Sequence, residues 1–565
     1  MEDHRPIVKK LLAFVPIIIN VLCAFGSLTE EERAALCGGG TIELNLRERS
    51  LPLEDMETIA KALSECKILR KLTITNIEIG DEGAEKLAMG LRNSKLERLD
   101  LYCNGIGPKG ATALAEALKT NKYLNELKLS CNNIGNKGAG KLAGVLMINT
   151  TLKEINLSYD GIDAEGANEL AAGLKTNTTL TTLNLSHNNL GAEGANKLVE
   201  GLKTNTTLTA LDLSWCNIGA EGAKHLVVVL KENKSLTILS LSCNNIGDEG
   251  AEALAEVLKT NKYLNGLKLS YNNIGVEGAK ALAKGLKANK HLNELKLSYN
   301  NIGNEGANEL AEVLMVNQTL WGLDLSFDNM DDEGAKVLAE VLKTNTTLTT
   351  LNLSHDNIGV DGAKALTEVL KTNKYLNELI LSCNNIGDEG AKVLANGLQI
   401  NRSVTKVALE ENDIGDEGAK ALADVLKTNS MVCVLELSGN KIGSTGATEL
   451  VLALKENSTL WKLDLSRNRI GSGAALVLGV MLQINSALCE LDLSFNYMDD
   501  VEVIVLAVGL ETNTTVWKLN LRCNKIGDEG AIALAEAVKV NSTLIELDLR
   551  GNLISPEVKE ELGIE

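Results

Sequence analysis

Two stretches of this sequence carry residue types that bind phosphate or calcium in other proteins. Gly135 to Lys141, GNKGAGK, is close to a phosphate-binding loop, in which backbone N–H groups and a lysine hold phosphate oxygens. Leu142, however, stands where the magnesium-binding Ser or Thr is required. Asn329 to Glu340, NMDDEGAKVLAE, imitates a calcium loop, but its second half follows an apolar helical pattern. We therefore predict no nucleotide, metal or other cofactor.

The histidines form no recognisable catalytic or metal-binding set either. No two of them have metal-ligand spacing within a short stretch, and no nucleophile lies where a base could activate it. The five are His4, His187, His225, His291 and His355. The sequence predicts no enzymatic activity, no catalytic residue and no metal ligand.

The residues of both motif-like stretches belong to a repeat that fills nearly the whole chain. In the unit from Leu124 to Thr151, Leu127 and Leu129 alternate with polar residues, which predicts a short strand with one buried face. Gly135 marks a turn, and the apolar residues after it recur at spacings typical of a helix. The pattern returns about every 28 residues. One strand and one helix in each unit must therefore position every candidate side chain.

The first strand leucine of each unit, or its substitute, gives 19 units between Leu44 and Leu547. Every step is 28 residues long, except for the 27 residues from Leu72 to Leu99. The first and last units are irregular, which is typical of the caps that solenoids need. The predicted domains are residues 1–40, a hydrophobic segment and cap; residues 41–555, the repeat solenoid; and residues 556–565, a C-terminal cap tail.

The N-terminal segment has two interpretations that remain open. Lys9 and Lys10 precede an apolar run from Leu11 to Phe25, which is shorter than the about 20 residues of a transmembrane helix. A segment that covers the first repeat would suit a cytoplasmic protein. A signal or anchor through residues 7–25 would suit a secreted or membrane-anchored protein, and only this second case predicts a membrane association.

Glycosylation matters only in the secreted case. Triplets of the form Asn-x-Ser or Asn-x-Thr recur at the turn between helix and strand of the repeat. Examples begin at Asn149, Asn177, Asn205, Asn345 and Asn513.

Composition limits the class of partner. The chain has 56 basic and 75 acidic side chains, and its net charge of −19 argues against a nucleic acid as partner. The same charge favours basic or neutral proteins, although acidity also simply promotes solubility. The 11 cysteines include no CxxC pair, which favours a reduced, intracellular protein. Cys103 and Cys131 hold equivalent places in adjacent units, and we interpret them as free thiols.

The repeat resembles a known family. Its pattern, LxxLxLSxNNIGxEGAxxLAxxLKxN, is similar to the leucine-rich repeat of the ribonuclease-inhibitor type, which also occurs in NOD-like receptors and in Ran GTPase-activating protein. The resemblance implies an α/β solenoid: a horseshoe of about 19 repeats, with inner parallel strands, outer helices and proteins bound on the concave face. It predicts a protein-binding scaffold that inhibits or senses its partner. The alternative is a GTPase regulator resembling Ran GTPase-activating protein, for which no catalytic motif can be matched.

The turn after each strand carries an asparagine whose amide can satisfy the backbone where the chain leaves the strand. We predict that these asparagines, such as Asn188 and Asn244, form an internal ladder. Other residues take the same position in a few units and are predicted to loosen the ladder there. They are Asp160, Cys216, Asp328 and Asp356.

The residue immediately before that asparagine supplies the candidate binding site. Although aromatic residues make up only 3% of the chain, they recur in this column, beside a column of serines. Two explanations remain open: the side chains anchor a protein partner, or they pack on one another across neighbouring units. The candidate protein-binding residues are Tyr159, His187, Trp215, Tyr271, Tyr299, Phe327 and His355.

Overall fold

The computed structural model describes residues 18–21, 42–47, 51–66 and 68–563 of the chain. The chain divides into two compact units, Met1–Asn273 and Ile274–Glu565. In each unit a short strand, a turn and a helix follow one another and then repeat. The predicted α/β repeat architecture is confirmed.

The first unit contains ten described strands, and consecutive strands pair in parallel. Eight described helices lie between them. The strands are β1 Ile18–Val21, β2 Glu43–Arg47, β3 Lys71–Thr75, β4 Arg98–Asp100, β5 Glu126–Lys128, β6 Glu154–Asn156, β7 Thr182–Asn184, β8 Ala210–Asp212, β9 Ile238–Ser240 and β10 Gly266–Lys268. The helices are α1 Leu53–Glu65, α2 Gly80–Leu91, α3 Pro108–Leu118, α4 Gly135–Leu146, α5 Ala164–Thr176, α6 Gly191–Leu202, α7 Gly219–Leu230 and α8 Gly247–Leu258.

The second unit repeats this arrangement with ten described strands and eleven described helices. The strands are β11 Glu294–Lys296, β12 Gly322–Asp324, β13 Thr350–Asn352, β14 Glu378–Ile380, β15 Lys406–Ala408, β16 Val434–Glu436, β17 Lys462–Asp464, β18 Glu490–Asp492, β19 Lys518–Asn520 and β20 Glu546–Asp548. The helices are α9 Val276–Ala288, α10 Gly303–Leu314, α11 Asp332–Leu342, α12 Val360–Thr372, α13 Gly387–Ile400, α14 Asp416–Thr428, α15 Ser444–Ala453, α16 Ser472–Leu482, α17 Asp500–Thr512, α18 Asp528–Val540 and α19 Pro556–Leu562.

The strand leucines by which the repeats were counted lie opposite one another in neighbouring strands. Leu44 lies opposite Leu72, and Leu72 lies opposite Leu99, although only 27 residues separate the second pair. The missing residue is absorbed in the turn between α2 and Leu96, so no side chain changes face. A slip of one residue in the strand itself would have turned its buried leucines toward solvent.

The core of each unit lies between the strand layer and the helix layer. Leu127 and Leu129 of one repeat are fully buried, as are Ala139 and Leu142 on the facing stripe of α4. Because the strands are only three residues long in most repeats, each strand contributes few of its own apolar contacts. Stacking of neighbouring repeats therefore completes the core, as is typical of solenoids.

Part of the N-terminal apolar run forms strand β1, which pairs in parallel with β2 and places Ile19 opposite Leu44. Residues 1–17 and 22–40 of the predicted segment lie outside the described residues. The C-terminal tail forms helix α19, which buries none of its side chains. No helix among the described residues has both the length and the apolar character to cross a bilayer. The division into cap, solenoid and tail stays a prediction.

Candidate protein-binding face

The aromatic column lies at the end of each strand, where the backbone adopts an unusual conformation. All seven candidate residues have positive φ angles, for example 58° at Tyr159 and 57° at Trp215. This left-handed region costs an ordinary L-residue about 1 kcal/mol or more, and glycine avoids the cost. Gly439 and Gly551 stand at this position in two other repeats, with φ of 69° and 74°. The positive φ is a general feature of this repeat position, since Cys103 and Cys131 share it, and the aromatic side chains are presented from that backbone.

Hydrogen bonds to the next repeat hold this conformation in place. The backbone N–H of Trp215 donates to the carbonyl of Ser242 at 2.9 Å. The following N–H, of Cys216, donates to Oδ1 of Asn244, also at 2.9 Å. Strained conformations persist only where surrounding contacts over-determine them, and such positions cluster at functional sites.

The predicted asparagine ladder is present and supplies these contacts. Asn188 is typical: its Oδ1 accepts hydrogen bonds from the N–H groups of Asp160 and Ile162 at 3.1 and 2.9 Å. Its Nδ2 donates to the carbonyls of Leu157 and Leu185 at 2.8 and 2.9 Å. One side chain therefore satisfies backbone groups of two successive repeats, and the turns that carry the aromatic column are fixed to one another.

We call Tyr159, His187, Trp215 and Tyr271, all in the first unit, the first aromatic row. The rings of Tyr159 and His187 stack with centroids 3.8 Å apart, and His187 and Trp215 stack at 5.2 Å. Trp215 also reaches past the intervening Cys243 to Tyr271, where the centroids are 6.4 Å apart and the rings are tilted by 32°. The structure thus brings all four predicted residues of this unit together.

Tyr299, Phe327 and His355 form the second aromatic row, in the second unit. Tyr299 stacks on Phe327, and Phe327 stacks on His355, with centroids 3.6 Å apart in both pairs. The ring planes of the two pairs are 17° and 15° from parallel, so these rings lie face to face.

The packing of these side chains on one another across neighbouring repeats is confirmed, whereas their role as anchors of a protein partner stays a prediction. The rings pack on one another along the repeat axis, yet Tyr159 and Trp215 remain 53% exposed and Tyr271 remains 49% exposed. Packing orders the side chains in advance, so a partner that bound them would not have to order them itself.

The surface beside the first aromatic row is mixed in character. The central strands carry Ala210, Ile238 and Gly266 at one position, of which only Ile238 is exposed, and Asp212, Ser240 and Lys268 two residues closer to the rings. The serine column, by contrast, is mostly buried, for example at Ser158 and Ser186. Most of the serines therefore add little exposed polar surface beside the rings.

Both histidines of the aromatic rows are neutral at physiological pH. Burial lowers the pKa of His187 below its ordinary value of 6.5, and the nearby carboxylate of Asp212 only partly opposes this effect. Burial lowers the pKa of His355 in the same way, against the effect of Glu411. Each histidine therefore stacks as an uncharged ring.

The three aspartates in the ladder keep the hydrogen bonds that asparagine accepts but lose those that it donates, which is in part the expected loosening. Oδ1 of Asp160 accepts from the N–H of Asn132 at 3.1 Å, and Oδ1 of Asp356 accepts from the N–H of Asp328 at 3.0 Å. Their Oδ2 atoms, however, are buried without a hydrogen-bond partner. Burial raises the pKa of Asp160 to about 8, of Asp328 to about 9 and of Asp356 to about 7. Aspartate in place of asparagine therefore changes the electrostatics of these positions and not the hydrogen bonds that Oδ1 accepts.

Sequence reasoning missed a second exposed aromatic column. Three of the four tryptophans occupy the same repeat position, immediately before a strand of the second unit, and all are exposed: Trp321, Trp461 and Trp517. A count of tryptophans by repeat position would have found them. The aromatic rows and this column are separate features, because the column lies at the opposite ends of the strands.

The motifs that imitated ligand loops are ordinary parts of the repeat. Gly135 to Lys141 forms the first two turns of α4, with Gly138 buried against the preceding turn. The second half of the calcium-like stretch is α11, in which Asp331 caps the helix by accepting from the N–H of Glu333. Among the described residues, no group of three or more His, Cys, Asp or Glu could hold a metal ion. Cys103 and Cys131 are free, as predicted.

The asparagines of the acceptor triplets are structural. Asn149 and Asn177 are buried, and the Nδ2 of Asn177 donates to the carbonyl of Leu146 at 2.8 Å. Its Oδ1 accepts from the N–H groups of Thr179 and Leu180. A glycan on this nitrogen would break the hydrogen bond to Leu146, so the folded chain does not present these asparagines for modification.

The strain at the aromatic positions can be measured directly. We expect Trp215→Gly to be more stable than Trp215→Ala by about 1 kcal/mol, because both lose the stack but only alanine keeps the positive-φ penalty. Denaturant titration of the two variants tests this. At Trp321, which is not among the positive-φ residues, the order should reverse. Equal stabilities at position 215 would contradict the assignment of strain.

Comparisons with known proteins agree with the repeat architecture. A family model described as Leucine Rich repeat matches residues 92–115, 120–143, 176–199, 344–366, 372–395, 401–423, 428–451, 456–479 and 512–535. A second, described as TMOD/LMOD Leucine-rich domain, matches residues 215–331. None of the curated proteins matches the sequence. Among solved structures, the crystal structure of the Rad7 and Elc1 complex in yeast is similar at 18% identity, with a TM-score of 0.42, covering 66% of this chain and 83% of that chain.

Proposed function

Because this chain is a leucine-rich repeat protein, we propose that it is a protein-binding scaffold that binds its partner on the concave, strand-bearing face of its repeats. The observation that carries the proposal is the exposure of aromatic side chains on a strained but firmly held backbone. Aromatic residues are the most frequent anchors of protein interfaces. Inhibition or sensing of the bound protein would use the same surface.

The first aromatic row is the proposed centre of the interface. Trp215 offers the largest exposed ring, and Tyr159 and Tyr271 flank it with rings that are about half exposed. The second aromatic row, in the second unit, is proposed as a binding surface of the same chemistry. No observation favours the GTPase-regulator alternative, and we do not propose it.

Capture of partners from a cell lysate by the full chain, followed by mass spectrometry, tests the proposal. We expect a protein that the unaltered chain retains to be lost, with affinity reduced at least about tenfold, when Trp215 and Tyr271 are both replaced by Ala. Trp321→Ala with Trp461→Ala is the matched control, because it removes two exposed tryptophans outside the aromatic rows. Retention by the first variant, or equal loss in both, would place the binding site elsewhere.

A further inference from the structure

The helix layer of the second unit carries an exposed apolar surface that the fold does not require. Its members lie on the outward side of four consecutive helices, α15 to α18, and we call them the outer apolar patch. Val480 is 58% exposed and Val508 is 49% exposed. The full set is Leu452, Leu476, Val480, Ile504, Val508 and Ile532.

The six side chains are neighbours because they occupy two repeat positions that lie four residues apart on a helix. Leu476, Ile504 and Ile532 hold the first position, and Leu452, Val480 and Val508 hold the second. Leu476 and Val480 are four residues apart on α16, and Ile504 and Val508 are four residues apart on α17, so each pair lies on one helix face. Successive helices place the same positions about 8–10 Å apart. The exposed area is on the order of 400 Å², the size of the largest apolar patch on a typical soluble monomer, and such patches are often functional.

The corresponding positions elsewhere in this unit are polar. The first position carries lysine in four successive helices, and the second carries a carboxylate or an amide. The residues are Lys336, Lys364, Lys392 and Lys420, and Glu340, Glu368, Asn396 and Asp424. The change to apolar residues is therefore confined to the end of the solenoid and is not a general property of the repeat.

Burial does not account for the apolar residues. The inward stripe of α17 is already complete with Val503, Leu506, Ala507 and Leu510, which occupy the core positions of the repeat. Leu476 and Ile504 lie outside that stripe and face solvent. Only the exposed parts of these side chains, 45% of Leu476 and 37% of Ile504, remain unburied by the fold and cost free energy in water.

The charges around the outer apolar patch indicate what kind of partner fits it. On the helices α15 to α18 and the three residues that follow each of them, the partly or fully exposed acidic side chains outnumber the basic ones by seven to two. The acidic residues are Glu449, Glu456, Asp500, Glu511, Asp528, Glu529 and Glu536, and the basic ones are Lys455 and Lys539. A second copy of this chain or an anionic lipid surface would meet repulsion at this rim. A cationic partner would meet attraction.

We propose that the outer apolar patch binds an amphipathic helix of a partner protein that carries lysine or arginine beside its apolar face. Apolar anchors at every third or fourth position of such a helix would pack against the aliphatic rows of α16 and α17. Its basic residues would pair with acids at the rim, such as Glu456 and Glu511. This surface is on the helix layer, so it can be occupied independently of the strand-bearing face.

The test uses the full chain and a synthetic helical peptide in which leucine repeats with helical spacing and lysine fills the flanking positions. We expect saturable binding by isothermal titration calorimetry, weakened at least about tenfold in the double variant Leu476→Gln with Val480→Gln. Met315→Gln with Val316→Gln is the matched control, because it alters two exposed apolar residues elsewhere in the unit and should leave the affinity unchanged. Circular dichroism shows whether each variant keeps its helical content.

A second variant separates the apolar contribution from the electrostatic one. Glu456→Gln with Glu511→Gln should weaken binding several-fold and reduce its dependence on salt, while the glutamate version of the peptide should not bind. Unchanged affinity in the patch variant, or no binding of the lysine peptide, would overturn the proposal. So would patch-dependent self-association in sedimentation, or patch-dependent binding to anionic vesicles, since each assigns the surface to another occupant.

Discussion

Replacing Asp160 or Asp328 by Asn is expected to stabilise the folded chain by an amount that grows as the pH rises. Each carboxyl occupies a ladder position at which asparagine elsewhere donates two hydrogen bonds to buried carbonyls, as Asn188 does to Leu157 and Leu185. A carboxylate cannot donate, and the Oδ2 atoms of these aspartates have no partner. The protonated acid can donate one hydrogen bond, so folding favours the neutral form.

The pH range of the effect follows from the pKa values. Burial raises the pKa of Asp160 from 3.8 to about 8, so between these values the folded chain holds a proton that the unfolded chain has released. The free energy of unfolding therefore falls as the pH rises through this range, by roughly 1.4 kcal/mol per pH unit at most. We expect Asp160→Asn to be nearly neutral below about pH 4 and to stabilise by about 3–5 kcal/mol at about pH 8. For Asp328 the difference should keep growing to about pH 9.

Thermal unfolding followed by circular dichroism at several pH values measures the effect. The control is Asp361→Asn, which removes an exposed carboxylate paired with Lys364 at 2.7 Å. Exposed pairs of this kind contribute at most about 1 kcal/mol, so that variant should show no gain in stability with pH. If the stability difference between the unaltered chain and the Asp160→Asn variant stayed constant from about pH 4 to about pH 9, the carboxyl would be ionised in the folded state.

The repeat architecture could be predicted from sequence because the same strand and helix pattern recurs in every repeat. The leucines at Leu127 and Leu129 alternate as in a strand, and Leu142 and Leu146 recur as in a helix. Periodicity fixes which side chains face the core, and every unit places them against those of its neighbours. Even the single 27-residue step kept its register, because the strand leucines rather than the turn determine which face is buried.

The aromatic rows were predictable only in part. Comparison of residue types at equivalent repeat positions identified Tyr159, Trp215 and the others, since parallel strands place equivalent residues beside one another. It could not show the positive φ angle, because nothing in the residue type of tyrosine or tryptophan favours that conformation. The conformation is imposed by the ladder, which connects residues 28 positions apart, for example the N–H of Cys216 and the Oδ1 of Asn244.

The outer apolar patch was missed because a helical pattern with apolar residues on all sides does not indicate which side faces the core. In α16 almost every residue is small or apolar, so periodicity carries little information there. Comparison with equivalent positions, such as Lys420 and Asp424, reveals the exposed side only after the register of the helices is known.

Removing one ladder asparagine is expected to destabilise the chain strongly. In Asn188→Ala, the N–H groups of Asp160 and Ile162 lose their acceptor, and the carbonyls of Leu157 and Leu185 lose their donor. Each unsatisfied buried group costs about 1–3 kcal/mol, and partial relaxation leaves a total of about 3–5 kcal/mol. Asn188→Cys should fall between alanine and asparagine, since Cys216 occupies the same position and its Sγ contacts the carbonyl of Leu185 at 3.1 Å.

The adjacent Asn189 provides a matched control, because it is exposed and has the same chemistry. Hydrogen exchange is the best measurement, since a repeat array need not unfold in one step. In Asn188→Ala the amide protons of Asp160 and Ile162 should lose protection first, whereas Asn189→Ala should leave them protected. If both variants exchanged alike, the turns would be held by the backbone alone. The aromatic rows would then owe their order to stacking rather than to the ladder.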